Sequence, residues 1–512
     1  MKIQLALLLS LLALPAFAAG NYPIYGINFY GTGAETTIKN GKGMYSLEMI
    51  YTQQYTNPAG ERAKLQNVVN AGFKVILRLD YDQVSGYTIP KDGDWVGRYN
   101  FAMKARQIAL DLGDLVSVFV IGNEPLADAS KVMTAQWYTY VFNGYDDNCV
   151  YKKIKEVRPG ATVSIFAPGG WPSAEMLNYF DFVLNNVNKD ASGHPQIDAF
   201  ALHAYSGAST DTDLNAEDPR FSSGNDFGVF RIYARKIYEK FGAAVKPIYI
   251  TETNTYWYYG IWGANPRHSQ DSYRDNWMKE AYQAIDEWNK ANDQKIDGLL
   301  WYVYQHCGIG CADQYENSLV RTDNARLNRA RQDMTWVTAN TNIVPGYAGS
   351  TLRFQAENYS NSDTGNGVGQ TNGVSGVDYS DTTAGNTGAN YRKENVDIAV
   401  LPDWSGFFVG WTAPGEWLRY ESLSGGYTYK VRYRYSRGVS GSSRVRLVID
   451  GVARGGTLSL AGTTNASGAY DYNTYKTVDG TTTFTLPKGF HEIKLVFDDG
   501  SVNIDWFELV RI

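Results

Sequence analysis

The chain has 512 residues, a net charge of −6 and 14% aromatic residues, among them 38 tyrosines and 13 tryptophans. That length exceeds a single hydrophobic core, so two domains are expected. Mild acidity and the lack of a basic run exclude nucleic acid and an anionic membrane surface as partners. The aromatic surplus suits sugar binding, because pyranose C–H faces lie flat on rings that also bring a polar handle.

Residues 1–18 read as a signal peptide. Lys2 supplies the charge, Leu5 to Leu14 the short apolar stretch, and Ala16-Phe17-Ala18 the small-x-small cleavage rule. A membrane anchor is the alternative. The stretch is too short to span comfortably, and no other run reaches about 18 apolar residues. A secreted or periplasmic protein is expected.

Strand-like runs then alternate with helical patterns. Strands are predicted at Tyr25 to Phe29, Lys74 to Leu79, Val116 to Ile121, Thr162 to Ala167, Ile197 to Leu202, Pro247 to Ile250 and Gly298 to Val303. A weaker eighth falls near Leu47 to Gln53. Helices are predicted at Ala59 to Asn70, Tyr99 to Leu112, Ala135 to Asn143, Cys149 to Val157, Ala174 to Asn186, Gly228 to Phe241 and Ser272 to Asn289. This alternation points to a parallel sheet covered by helices, and its extent suits a (β/α)8 TIM barrel over residues 19–338. No G-x-G-x-x-G follows the first strand, which counts against a dinucleotide fold. A short Asn/Thr/Pro/Gly linker, 339–350, follows. From 351 to 512 helix signals nearly vanish and alternating strands such as Tyr427 to Tyr435 take over, giving an all-β sandwich. No repeat of solenoid period is present.

Three cysteines, Cys149, Cys307 and Cys311, are compatible with a disulfide in an exported protein. Cys307 and Cys311 could bridge, or Cys149 could pair with either. A lone C-x3-C is a poor zinc signal.

Two predicted strands end in a carboxylate: Val116 to Ile121 leads into Gly122-Asn123-Glu124-Pro125, and Pro247 to Ile250 into Thr251-Glu252-Thr253-Asn254. In a (β/α)8 barrel such ends share one mouth. Two carboxylates across a sugar are the minimum machinery for cleaving a glycosidic bond. Asn-Glu-Pro on the fourth strand and Thr-Glu on the seventh resemble glycoside hydrolase clan A, the retaining (β/α)8 enzymes, over roughly residues 22–338. The resemblance implies Glu124 as acid/base and Glu252 as nucleophile. It also implies that Asn123 reaches the substrate 2-hydroxyl or the nucleophile. His203-Ala204-Tyr205 matches the clan's His-x-Tyr, with Tyr205 bonded to the nucleophile; His203 is otherwise a packed, satisfied histidine. Arg78 either keeps the nucleophile ionised or forms a structural pair with a neighbouring acid. Trp301 on the last strand is expected under the sugar ring. Trp171, and Trp257 in the aromatic run Tyr256 to Trp262, are expected to line subsites. Gly122 departs from the His that several families carry before Asn123.

The second domain resembles a family 6 carbohydrate-binding module, a jelly-roll β-sandwich. The resemblance rests on Phe354-Gln355-Ala356-Glu357-Asn358-Tyr359, on Val409 to Leu418 and on Val502-Asn503-Ile504-Asp505-Trp506-Phe507. It implies a sugar clamp of Trp411 and Tyr472 (or the nearby Tyr470) with Asn503. It also implies a structural Ca2+ held by Gln355, Glu357 and Asp505, with no cofactor for catalysis. The chain is therefore expected to be a retaining endo-β-glycanase, acting as a monomer on a β-1,3- or β-1,4-glucan, a xylan or an algal galactan. An inactive polysaccharide-binding protein and a transglycosylase are the alternatives.

Overall fold

A computed structural model describes residues 22–31, 33, 35–127, 133–144, 146–170, 172–189, 196–206, 218–220, 226–242, 246–258, 266–305, 312–345, 351–360, 373–388, 391–392 and 394–512. The signal peptide, Trp171, Cys307 and Cys311 lie outside them. Cys149 is a buried free thiol, and burial pushes its pKa up.

Eight parallel strands form one sheet: β1 Tyr25–Asn28, β2 Met44–Tyr51, β3 Phe73–Asp80, β4 Val116–Ile121, β5 Thr162–Ser164, β6 Phe200–His203, β7 Ile248–Thr253 and β8 Gly298–Trp301. Their order is β5-β4-β3-β2-β1-β8-β7-β6. A parallel bridge from Ser164 to Ala199 joins the two edges, with Asp198 N donating to Val163 O at 3.0 Å. The sheet is thus a closed (β/α)8 barrel. The weak eighth strand of the sequence is β2, starting three residues earlier than its pattern suggests.

Side-chain alternation sorts the strands into two layers. Tyr45, Leu47, Ile76, Val118, Val120, Ala201, Tyr249 and Leu300 fill the barrel interior. Met44, Val75, Leu77, Phe119, Phe200, Leu202, Ile250 and Leu299 face the surrounding helices. Several helices begin at side-chain caps that satisfy an otherwise orphaned N–H. Asn57 accepts from Gly60 N, Asp94 from Gly97 N, Thr134 from Trp137 N and Ser173 from Met176 N. Among the described residues no helix is long and apolar enough to cross a membrane.

The last barrel helix, Ala325–Asn340, runs two residues past the expected domain end, and Ile343 still packs in the barrel core. From Thr351 the chain forms two antiparallel sheets of six and five strands. Tyr429, Val431, Tyr433 and Tyr435 alternate into a separate core between them. The sandwich docks on the barrel through backbone as well as side chains. Asp293 N donates to Leu423 O at 2.9 Å, and Leu423 N to Asn292 Oδ1 at 2.9 Å. Arg511 pairs with Asp293, and Arg235 lies 3.4 Å over the Phe490 ring. Leu423, Phe490 and Arg511 lie in sandwich strands, while Asn292 and Asp293 directly follow the barrel helix Trp277–Ala291.

Candidate active site

Each charged group at the C-terminal end of the barrel is placed by a strand. Arg78 and Asp80 sit two apart on β3, so both point inward with Ile76. His203 ends β6. Glu252 is near the end of β7, where strict alternation would turn it outward with Ile248 and Ile250. A bulge prevents this. Leu202 pairs with Ile250 and His203 with Glu252 on one side; Leu299 pairs with Ile250 and Trp301 with Thr253 on the other. The extra residue in β7 rotates Glu252 into the barrel.

Glu124 follows β4 in an unusual backbone. Gly122 has φ of 78° and Glu124 φ of 32°. A Cβ at position 122 would also approach Ile89 Cγ2 to 2.9 Å. Both facts explain glycine where a histidine might stand, since only Gly adopts this region freely. The turn is fixed by Gly122 N to Leu79 O at 3.0 Å and Glu124 N to Ala167 O at 3.0 Å. Thr88 Oγ1 donates to Asn123 O at 2.9 Å. A left-handed glutamate costs on the order of 1–3 kcal/mol, a cost that persists where function over-determines the position.

These elements bring the carboxylates together around one imidazole. His203 Nδ1 lies 2.7 Å from Glu124 Oε1 and His203 Nε2 lies 3.6 Å from Glu252 Oε1. Arg78 Nη1 donates to Glu252 Oε1 at 2.8 Å, and the Tyr205 hydroxyl donates to Glu252 Oε2. The side-chain amide oxygen of Asn123, Oδ1, is buried with no hydrogen-bond partner among the described residues. Arg78 also reaches Asp80, Nε to Oδ2 at 3.2 Å. Both readings of Arg78, partner of Glu252 and partner of a neighbouring acid, therefore hold at once.

The shared burial sets the titration of the group. Burial works against the His203 charge, but Glu252 and Glu124 outweigh it, so the pKa is raised. Burial and then Glu252 and Glu124 lift the Tyr205 phenol well above its usual range, so it remains a donor. Burial also opposes the Arg78 charge, which Asp80 and Glu252 hold on the guanidinium. Asp80 is pushed up to about 6, by burial first and against the pull of Arg78.

Trp301 is not at the mouth. On β8, residues 299 and 301 face the helices while Leu300 faces inward. The Trp301 ring is 1% exposed, edge-on to Tyr273 and Trp277, and its Nε1 donates to Asn317 O at 3.0 Å. It is a core residue, and the expected platform role is corrected. The next residue takes the inward parity. Tyr302 is half-buried, packs edge-on to Phe29 at 6.5 Å, and lies within electrostatic reach of Arg78 and Tyr205. Trp257 begins a two-residue strand, Trp257–Tyr258, paired with Pro266–Arg267.

In the sandwich, Trp411 is 51% exposed, with φ of 49°, and stacks on Phe408 at 6.1 Å. Asn503 starts the strand Asn503–Arg511. Its Oδ1 would lie 2.6 Å from a Cβ at position 410, so Gly410 lets the amide sit against the backbone that carries Trp411. Ser436 pairs with Asn503 in register, and its hydroxyl donates to Tyr472 O at 2.6 Å. Trp411, Tyr472 and Asn503 thus gather at one end of the six-stranded sheet. Tyr470 lies against Gly462.

The three residues expected to hold Ca2+ are also adjacent. Ala356 N donates to Asp505 O at 2.9 Å, between Gln355 and Glu357. Gln355 Oε1 and Glu357 Oε2 are buried without a hydrogen-bond partner among the described residues, and burial lifts the Glu357 pKa well above its usual value. Two orphaned hard oxygens fit a cation. Asp505 is less available, because its carboxylate pairs with Arg434.

Residues 392–509 match the family model of carbohydrate binding module (family 35). No curated protein sequence matches the chain. Among solved structures, the chain is similar to the C-terminal family 6 module of a marine laminarinase from Zobellia galactanivorans, at 21% identity over 31% of this chain and 99% of that one, with a TM-score of 0.21. The family 6 module of Cellvibrio mixtus lichenase 5A matches at 22% identity over 23% of this chain and 87% of its own, with a TM-score of 0.20. A family 39 glycoside hydrolase from Bacteroides cellulosilyticus matches at 14% identity over 94% of this chain and 81% of its own, with a TM-score of 0.45. The C-terminal sandwich is therefore matched as a carbohydrate-binding module, by the family 35 model where its motifs resemble family 6.

Proposed function

We propose that the chain is an exported, retaining endo-β-glycanase that works by double displacement, with its sandwich keeping it on polysaccharide. The observation that carries this reading is the single imidazole of His203 touching both Glu124 and Glu252 in the barrel mouth. In the first step a Glu252 oxygen bonds the anomeric carbon while the glycosidic C–O bond breaks. The leaving oxygen takes its electron pair and the proton of Glu124. In the second step Glu124 removes a proton from water, the water oxygen bonds the anomeric carbon, and Glu252 leaves as carboxylate. Arg78 and Tyr205 hold the two Glu252 oxygens, which fixes the attack geometry. Asn123 offers its unpartnered amide oxygen to a sugar hydroxyl, and Tyr302 supplies the aromatic surface under the ring.

Trp411, Tyr472 and Asn503 bind a second sugar on the module, which raises the local concentration of polymer at the barrel. Gln355 and Glu357, with a contribution from Asp505, hold a structural Ca2+ that supplies no chemistry to the reaction. The substrate is a β-1,3- or β-1,4-glucan, a xylan or an algal galactan, and the enzyme acts as a monomer.

The test is reducing-sugar release from soluble β-glucans, xylans, mannans and agars by wild type and by Glu252→Gln. Release from one polymer, abolished in the variant, supports the assignment and names the substrate. Binding without release on every polymer points instead to a non-catalytic binding protein. New, longer oligosaccharides in place of hydrolysis products point to a transglycosylase at the same pair.

A further inference from the structure

Asp80 has no part in the steps above, yet it is built into the same charge network. It ends β3 two residues after Arg78 and is 1% exposed. Arg78 is held on three sides. Its Nε lies 3.2 Å from Asp80 Oδ2, its Nη1 is 2.8 Å from Glu252 Oε1, and its Nη2 rests on the neutral Met49 sulfur at 2.8 Å. One buried guanidinium is therefore divided between two carboxylates. The titratable groups around Asp80 are Arg78 on its own strand, Tyr51 on β2 and Glu252 on β7. Tyr302 faces Arg78; His203 and Tyr205 face Glu252.

We propose that Asp80 is a positioning residue for the reaction: when ionised it pairs with the Arg78 guanidinium across 3.2 Å and takes a share of its charge, so that Glu252 meets a partly neutralised cation. The inference rests on reading Glu252 as the nucleophile. A carboxylate facing an undivided guanidinium in a dry site is firmly ionised but weakly nucleophilic. It is also a better leaving group. Dividing the cation trades one quality against the other, helping the step that forms the Glu252–anomeric carbon bond and slowing the step that breaks it. The geometry favours this over simple structural pairing. Asp80 Oδ1 has no hydrogen-bond partner among the described residues, and burial pushes the carboxyl up to about 6. A purely structural acid would be better satisfied.

The test compares wild type, Asp80→Asn and Asp80→Glu on 4-nitrophenyl β-glycosides of the sugar that the polymer panel identifies. Asp80→Asn keeps shape and loses charge. Because Asp80 itself protonates at about 6, it should give the wild-type acid limb of kcat/KM an inflection there, which Asp80→Asn lacks, so the limb of the variant begins at lower pH. Plateau kcat/KM, which reports bond formation, should fall. The kcat for an activated leaving group, which reports release from Glu252, should hold or rise. Asp80→Glu should return the limb towards wild type. Thermal unfolding of each variant separates these effects from loss of fold. A folded Asp80→Asn with an unmoved limb and an unchanged ratio of kcat to kcat/KM overturns the inference, as does an Asp80→Glu that behaves like Asp80→Asn. Glu252→Gln is assayed alongside. Full activity there sinks the nucleophile assignment and this inference with it, whereas an inactive Glu252→Gln beside an unmoved Asp80→Asn sinks this inference alone.

Discussion

Tyr205→Phe removes one oxygen from the site and little else. The Tyr205 ring is held between the His203 ring at 5.9 Å and the Tyr256 ring at 6.0 Å, so phenylalanine occupies the same slot. What disappears is the donor to Glu252 Oε2; Arg78 still holds Oε1. A hydrogen bond to a charged group is worth about 1.5–3 kcal/mol. If the bond serves mainly to orient the nucleophile in the transition state, kcat/KM should fall roughly 10- to 100-fold, at about 1.4 kcal/mol per decade. The assay is initial-rate reducing-sugar release on the preferred polymer, with thermal unfolding in parallel. Since the phenol titrates well above its usual range, the alkaline limb of the wild-type profile should not move in the variant. Activity within twofold of wild type would refute the reasoning. So would a loss matched by a large fall in Tm, which would make Tyr205 a packing residue.

Trp301→Ala should cost about 3–5 kcal/mol of stability as a large core truncation, read by denaturant unfolding, with KM of the surviving folded enzyme unchanged; a selective rise in KM would restore Trp301 to the sugar site. Trp411→Ala should lose retention on insoluble polysaccharide while hydrolysing soluble substrate at the wild-type rate, measured by pull-down and reducing-sugar assays; undiminished retention would remove the clamp. Asp80 titrates near 6 when folded and near 3.8 otherwise. Its contribution is therefore fully present below about pH 4 and is lost as pH rises through 6, by about 3 kcal/mol. Urea unfolding of wild type against Asp80→Asn across that window should show the difference, and parallel curves would contradict it. Chelation with EGTA should lower the Tm of the sandwich, with Ca2+ restoring it, and Glu357→Gln should blunt the response; identical melting with and without chelator would exclude the site.

Most of the architecture was legible in the residues because the barrel strands are continuous apolar runs with helical periods between them. The register of β7 was not. Alternation from Ile248 and Ile250 sends Glu252 outward, and only pairing on both sides reveals the bulge that turns it in. The same blindness to parity misplaced Trp301. Counting back to Leu300, an inward residue, assigns 302 rather than 301 to the mouth, but the inward set is known only once neighbouring strands are aligned. Asp80 was visible beside Arg78 in Leu77-Arg78-Leu79-Asp80, two apart and hence on one face of a strand. Its proximity to Glu252 is a contact across the barrel, which no local pattern encodes. The His203 bridge is equally non-local, spanning 79 residues to Glu124.

The most direct test of the paired carboxylates is covalent capture. A 2-deoxy-2-fluoro β-glycosyl fluoride of the preferred sugar, incubated with wild-type protein, slows the second step and lets the glycosyl-enzyme accumulate. Double displacement at this pair predicts one sugar per chain, located by peptide mass spectrometry on Glu252, and no label in Glu252→Gln. A label on any other residue, or an unlabelled enzyme that hydrolyses its polymer with inverted anomeric configuration, would contradict it.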